Sequence, residues 1–270
     1  MPGWSLWLLP PRATQICDQL DRHISEFVPQ VYSDVQPKDS IPVIPAHITL
    51  TSSIPPLEEG QDAQAWLDAL PLEDGGDGGS SSGGGDGRQS EEKTEGATAI
   101  SRQESSDANA NANTNASAKK PNSSSAVEVK FKELASGDTF FKRLYIRCHK
   151  TASLCALASS ARRHAVHHRA SDVAPEQAKE WAPEGEDVEQ WVQHSYDPHV
   201  SLLYADLDPT GNRMDTVGDG LREKGITMAG EEKKEGMAGM EGWTGGRVWL
   251  VPTERGLKEW RPVAERVLKG

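Results

Sequence analysis

Ser5–Leu9 is a short apolar run that reads as a buried strand, closed by Pro10 and Pro11, which cannot extend a hydrogen-bonded ladder. Ile16, Leu20, Ile24 and Phe27 then recur at three- and four-residue spacing, the stripe of an amphipathic helix. A proline-rich stretch (Pro29, Pro37, Pro42, Pro45) predicts a loop. Residues 46–54 alternate and are rich in Ile, Thr and Leu, which predicts a strand; residues 62–70, with Ala65, Trp66 and Ala69, predict a short helix. Val127–Leu134 alternates apolar and charged residues so regularly that a half-buried strand follows. After a Ser136-Gly137-Asp138 turn, Phe140–Cys148 supplies a second strand, and Thr151–His168 has helix-forming composition.

Asp197–Leu207 reads as a strand opened by Pro198. Residues 208–242 have no clear period, with a helical segment expected around Thr216–Lys224. Arg247–Val251 is a strand, while Trp260–Leu268 fits either a strand or a short helix. The order is strand, helix, strand, helix, then strand, strand, helix, strand, a weak region and strand. This is a mixed α+β protein.

The pattern is broken once. Glu73–Ser125 is 53 residues of Gly, Ser, Asn, Ala, Asp and Glu in which Ile100 is the only large apolar side chain. Such a stretch cannot bury enough surface to offset its ordering entropy, so a disordered low-complexity insert is expected at 73–125. The 217 residues that remain of 270 hold all 16 aromatics, enough for one core. One domain, 1–270, interrupted by the insert, is the expected organisation. The glycines at Gly75–Gly87 are not a phosphate-binding loop, because no Gly-Lys-Ser/Thr follows and no strand precedes them.

Charge narrows the partners. A net −12 argues against a protein that coats duplex nucleic acid or anionic membrane. Between Ala126 and Ala170, however, nine Lys and Arg face three acids, a local +6 against −18 elsewhere. That segment can attract phosphorylated ligands, although alternating lysines such as Lys130 and Lys132 more often mark a solvated strand face. Cys17, Cys148 and Cys155 have neither metal nor disulfide-framework spacing, so a reducing compartment is the default. The apolar start lacks a basic n-region and no run reaches the length of a membrane span, which predicts a cytoplasmic protein.

One four-residue pattern occurs twice in strand context: His47-Ile48-Thr49-Leu50 and His199-Val200-Ser201-Leu202. Alternate side chains share a face, so each strand offers an imidazole beside a hydroxyl while Ile48 and Leu50, or Val200 and Leu202, pack the reverse side. Four of the eight histidines have Ser or Thr two residues on, but His23 lies in the predicted helix and His149 at a strand end. Taken singly, each motif histidine could be a strand residue with local hydrogen bonds. Taken together, two imidazoles can remove one proton and supply another near neutral pH, and two hydroxyls can hold the non-bridging oxygens of an anion between them. That combination describes phosphodiester cleavage without a metal or other cofactor. His164, His167 and His168 lack a third ligand type at suitable spacing and sit among Arg162, Arg163 and Arg169, so they read as a solvated basic helix end.

Two such motifs, one per lobe, resemble the 2H phosphoesterase superfamily. More closely, Ser5-Leu6-Trp7-Leu8-Leu9-Pro10, Gly137-Asp138-Thr139-Phe140-Phe141 and His199-Val200-Ser201-Leu202-Leu203-Tyr204 resemble the 2′,3′-cyclic-nucleotide 3′-phosphodiesterases of fungi and plants. The resemblance implies a two-lobed pseudo-symmetric fold, with antiparallel sheets lining a central cleft and helices outside. It implies that His47 and His199 transfer protons, that Thr49 and Ser201 bind phosphate, that Tyr204 contacts it and that Trp7 lines the cleft. Strict alternation puts Tyr204 opposite His199, so its role requires a strand end, twist or bulge. Trp7 could equally be a core aromatic. The implied reaction converts small 2′,3′-cyclic nucleotides to 2′-phosphates, extending to ADP-ribose 1″,2″-cyclic phosphate from tRNA splicing. A monomer is expected, and Golgi association follows from the fungal likeness. Processing of RNA ends or 2′–5′ linkages, and a non-catalytic nucleotide- or RNA-binding module, are the alternative readings.

Overall fold

The apolar run at the start forms strand β1 (Trp4–Leu9), and the following stripe forms helix α1 (Gln15–Arg22), capped by the Thr14 side chain. The computed structural model describes residues 3–72, 126–172, 187–209, 211–231 and 239–269, with the side chains of the long third helix described through residue 166. The predicted insert, 73–125, lies outside the described residues. Helical structure after α1 continues further than the sequence suggests, through a π-turn (His23–Phe27) and a last α-turn (Val28–Val31). Pro29 therefore sits inside a helix instead of opening a loop. The wider π-turn ahead of it relaxes the clash that a proline ring makes with the preceding turn.

Strand β2 (Ile48–Ile54) follows, then helix α2 (Ala63–Asp68), capped by Asp62. The second half runs β3 (Glu128–Ser136), β4 (Leu144–Cys148), helix α3 (Ala152–Asp172), helix α4 (Val188–His194), β5 (His199–Leu203) and helix α5 (Asn212–Glu223). It ends in β6 (Gly242–Thr244), β7 (Gly246–Pro252) and β8 (Ala264–Leu268), which settles the last element as a strand. Two predicted strands are shorter than expected: Phe140–Lys142 is a 3-10 turn ahead of β4, and β5 stops at Leu203. Helix α4 and the three-residue β6 have too little periodic sequence to be read beforehand.

Among the described residues, eight strands join one antiparallel order, β6-β3-β4-β5-β2-β1-β7-β8. The order is symmetric about its middle. On one side β1, α1, β2 and α2 come in order; on the other, β4, α3, β5 and α5 do, with α4 added ahead of β5. The lobes meet where β2 pairs with β5 through Ile48 and Val200, the second positions of the two motifs. Both side chains are fully buried in the main core, with Leu6, Leu8, Leu50, Leu202 and the α1 residues Ile16 and Leu20. Helices cover this face and cross the seam: α3, from the second lobe, packs on β2, and the π-turn after α1 reaches β5. Residues 1–74 and 125–270 form one compact unit. Among the described residues, no helix is long and apolar enough to cross a membrane.

If the seam is the centre of the core, Ile48→Ala should cost about 2–5 kcal/mol. Val267→Ala, at a β8 position that is 70% exposed, should stay within about 0.5 kcal/mol of the wild type. Urea unfolding followed by tryptophan fluorescence measures both, and equal effects would contradict the placement.

Candidate active site

The two motifs are built alike down to their irregularities. Across β1 and β2, Trp7 faces Thr49 while Leu6 faces Thr51, so Leu50 is an unpaired extra residue. Across β4 and β5, Tyr145 faces Ser201 while Leu144 faces Leu203, so Leu202 is the extra residue. Each is a β-bulge at the fourth motif position, and each shifts the inward–outward alternation by one. Leu202 and Leu203 consequently both enter the main core. Tyr204 is thereby returned to the face of Ser201 and packs with Trp7 and Trp260 in a second apolar cluster, with Phe140 and Phe141 against it. The bulge that the Tyr204 assignment required is present. Its signal was faint, since Leu202-Leu203 is only a two-residue break in alternation.

The matching bulge at Leu50 turns Thr51 toward the helices, where its hydroxyl accepts a hydrogen bond from Arg162 (3.2 Å). The predicted solvated helix end is therefore partly wrong. Arg162 also lies over the Trp191 ring, Arg163 pairs with Glu189, and His164 meets the Trp66 carbonyl at 3.0 Å. The side chains of His167, His168 and Arg169 lie outside the described residues. Lys130 and Lys132 are exposed on β3, as the alternation predicts.

On the face away from the helices, the motif histidines share one anchoring geometry. His47 Nδ1 lies 2.8 Å from the carbonyl of Pro45, and His199 Nδ1 lies 2.7 Å from the carbonyl of Asp197, two residues back in each case. A carbonyl only accepts, so Nδ1 carries the proton in both rings and Nε2 is left as the titrating nitrogen. Each anchor is itself fixed by a carboxylate. Asp21 accepts the Ala46 N–H at 3.0 Å on the first lobe; on the second, Asp197 pairs with Lys142 and lies 3.5 Å from Arg147.

Each ring also rests on an aromatic of the neighbouring strand. Trp7 stacks on His47, with centroids 3.9 Å apart and planes 16° apart; Tyr145 meets His199 edge-on at 5.1 Å. Trp7 is 2% exposed. It is thus both buried and in contact with a motif histidine, where the sequence allowed one or the other. Tyr145 is its register counterpart and was missed, because the duplication of the bulge, unlike that of the motif, is visible only in three dimensions. Lys142 and Arg147 were missed for a related reason: they come from β4 and its flanking turn, far from either motif; Asp197, two residues before His199, carries no pattern of its own.

Burial sets the electrostatics. It lowers His47 to about 4, opposed by the hydrogen bond to Pro45 and reinforced by the charge of nearby His199. His199 is also lowered, first by burial, with the Asp197 carbonyl opposing and Lys142 adding to the shift. Both imidazoles therefore favour the neutral form until an anion lies between them. Ser201 Oγ donates to the Phe141 carbonyl (3.3 Å) and is also hydrogen-bonded with Tyr204, whose hydroxyl is pushed up to about 12 by burial. Thr49, half-buried beside Trp7, completes the second hydroxyl position.

The chain is similar to known proteins along most of its length. A family described as cyclic phosphodiesterase-like protein matches residues 1–73 and 97–268. A 2′,3′-cyclic-nucleotide 3′-phosphodiesterase of Neurospora crassa is 28% identical over 272 residues, 99% of this chain and 100% of the relative. One of Phaeosphaeria nodorum is 30% identical over 278 residues, again 99% of this chain and 100% of the relative. Another, of Yarrowia lipolytica, is 26% identical over 282 residues, with 98% and 99% covered. The family match covers most of the sequence, and the chain belongs to the cyclic phosphodiesterase-like protein family.

Proposed function

We propose that the protein hydrolyses 2′,3′-cyclic nucleotides to nucleoside 2′-phosphates, without a metal, using His47 and His199 as its acid–base pair. The observation that carries this reading is the pair of motif histidines on adjacent strands, each with Nδ1–H held by a carbonyl two residues back. The relatives named above carry the same activity in their names.

In this reaction Thr49 and Ser201 hold the non-bridging oxygens of the cyclic phosphate, and the Tyr204 hydroxyl supports Ser201. Nε2 of one histidine takes a proton from water as the water oxygen attacks phosphorus in line. The P–O3′ bond breaks, and Nε2 of the other histidine gives O3′ a proton. The product is a 2′-phosphomonoester, and the two imidazoles have exchanged protonation states. Because Nδ1 of each ring is committed to a carbonyl, every transfer runs through Nε2. ADP-ribose 1″,2″-cyclic phosphate, formed downstream of tRNA splicing, presents the same ring and belongs to the same substrate class. We propose as well that the enzyme acts as a monomer on small nucleotides and associates with the Golgi, the latter resting on the resemblance alone.

Phosphorus NMR of adenosine 2′,3′-cyclic phosphate with protein and EDTA should show conversion to the 2′-phosphate. Loss of turnover to the chelator would remove the metal-free mechanism. His47→Ala and His199→Ala should each slow the reaction about 10²–10⁴-fold with circular dichroism unchanged, and a near-wild-type rate in either would end the assignment.

The lowered histidines also set a pH dependence. The base must be neutral and the acid protonated, and the free-enzyme values of both groups fall below the usual 6.5. The profile of kcat/KM should therefore be a bell with its maximum on the acid side of 6.5, reporting the pair as a unit. The profile of kcat should shift upward, because a bound phosphate anion favours the imidazolium form. A kcat/KM maximum above pH 8 would contradict this electrostatic picture.

We further propose that residues 73–125 interrupt a single catalytic domain. The family match is itself broken, at residues 74–96, within this stretch. Replacing 73–125 with a short glycine-serine loop should leave kcat/KM for the cyclic mononucleotide within about twofold and the thermal midpoint unchanged; loss of folding or activity would mean that the segment is part of the enzyme.

A further inference from the structure

The Gly137-Asp138-Thr139-Phe140-Phe141 segment takes no part in the chemistry proposed above, yet the turn that it opens brackets the second motif. Ahead of the motif, the Lys142 ammonium pairs with the carboxylate of Asp197. Within it, the Phe141 carbonyl accepts from Ser201 Oγ at 3.3 Å. Beyond it, Arg143 Nε donates to the Ala205 carbonyl at 3.0 Å, while Nη1 and Nη2 donate to the Gly137 and Asp138 carbonyls at 3.2 and 3.1 Å. Arg143 thus closes the turn on itself and fastens it to the chain just past Tyr204. Gly137 permits that closure, because a Cβ there would lie 2.4 Å from the Lys142 carbonyl.

Lys142 carries the bracket to the histidine. Its ammonium lies 4.8 Å from the centroid of the Tyr145 ring, and that ring meets His199 edge-on at 5.1 Å. Arg147 faces His199 in the β4–β5 register, lies 3.5 Å from the second Asp197 carboxylate oxygen, donates to the Tyr145 hydroxyl at 3.0 Å and pairs with Glu133 of β3. His47 stands across the seam, close enough for its charge balance to feel His199. The Asp197 carboxylate is therefore held from two sides while its carbonyl holds Nδ1 of His199 at 2.7 Å. These charges act in opposite senses on a ring that burial already lowers: Lys142 and Arg147 lower it further, and the Asp197 carboxylate opposes them. In the first lobe the corresponding carboxylate, Asp21, accepts the Ala46 N–H and the Cys17 thiol instead.

We infer that Lys142 is a positioning residue for the reaction: it ties the turn that holds Ser201 to the segment that holds His199, and so fixes the spacing of imidazole and hydroxyl in the second motif. A neutral side chain at this position leaves each hydrogen bond possible but uncouples the two. An arginine keeps the charge and can still meet the carboxylate. This inference rests on the catalytic reading above.

The test uses Lys142→Met, Lys142→Arg and Asp197→Asn in the full chain, with circular dichroism as the check on folding and Lys142→Gln as the substitute if the methionine variant does not fold. With adenosine 2′,3′-cyclic phosphate, Lys142→Met should lower kcat about ten- to a hundredfold, the scale of a small misplacement of a reacting group, with KM within about threefold of the wild type. Lys142→Arg should recover most of that rate. Proton–carbon NMR of the ring Cε1–H groups in the free protein gives the second readout. The titration midpoint of His199 should rise in Lys142→Met, where a cation is lost and Asp197 is left unneutralised. It should fall in Asp197→Asn, where the carboxylate is lost and two cations remain. His47 should move less than His199 in both. A merely stabilising ion pair would not move the midpoint in opposite directions. Wild-type kcat in Lys142→Met, Lys142→Arg as slow as Lys142→Met, or shifts of the same sign in Lys142→Met and Asp197→Asn would overturn the inference while leaving the catalytic assignment standing. Failure of the wild type to turn over the cyclic nucleotide would count against the catalytic assignment instead, and the opposed His199 shifts would still decide whether Lys142 is coupled to that ring.

Discussion

The pairing of Ile48 with Val200 is the contact on which the arrangement depends. It lies between two strands that each carry a helix-covered apolar face and a face with an imidazole and a hydroxyl. Because strand side chains alternate, burying Ile48 and Val200 in one core forces His47, Thr49, His199 and Ser201 onto the opposite side. Neither lobe could build this site alone. The helices tighten the constraint, since α3 and the π-turn after α1 each pack on the motif strand of the other lobe.

Holding two histidines in such a place has an electrostatic cost. Burial opposes the charged imidazolium at both positions. The compensation is geometric: each Nδ1–H keeps a carbonyl partner, and each ring lies against an aromatic that restrains its tilt. The second lobe adds charge, with Lys142 and Arg147 converging on Asp197, whose carbonyl orients His199. The first lobe reaches the same end with a single carboxylate, Asp21, on the Ala46 amide. The halves are thus alike in backbone and unlike in electrostatics, so the two imidazoles are not equivalent.

Much of this was legible in the chain. Alternation located β2, β3 and β7, the helical stripe located α1, and the repeated His-x-Ser/Thr-Leu pattern located the four motif residues, because each signal is periodic and local. What escaped notice is non-local. The bulges depend on which neighbouring residue is skipped, so Tyr204 could be placed only conditionally. Tyr145, Lys142 and Arg147 join the site through strand pairing and carry no motif of their own. Pro29 misled because a proline ordinarily ends a helix, and the π-turn that admits it follows from packing against α5 and β5.

The seam also has a kinetic meaning. Its two partners are 152 residues apart (200 − 48), a separation at which chain closure is slow compared with local pairings such as β3 with β4. Until it closes, β2 and β5 are both open sheet edges with apolar faces, the kind of surface that pairs with the wrong chain. Their contact with each other removes both edges in one step. The closure that removes both edges is also the event that brings the two imidazoles together, so protection of the edges and assembly of the site come from the same pairing.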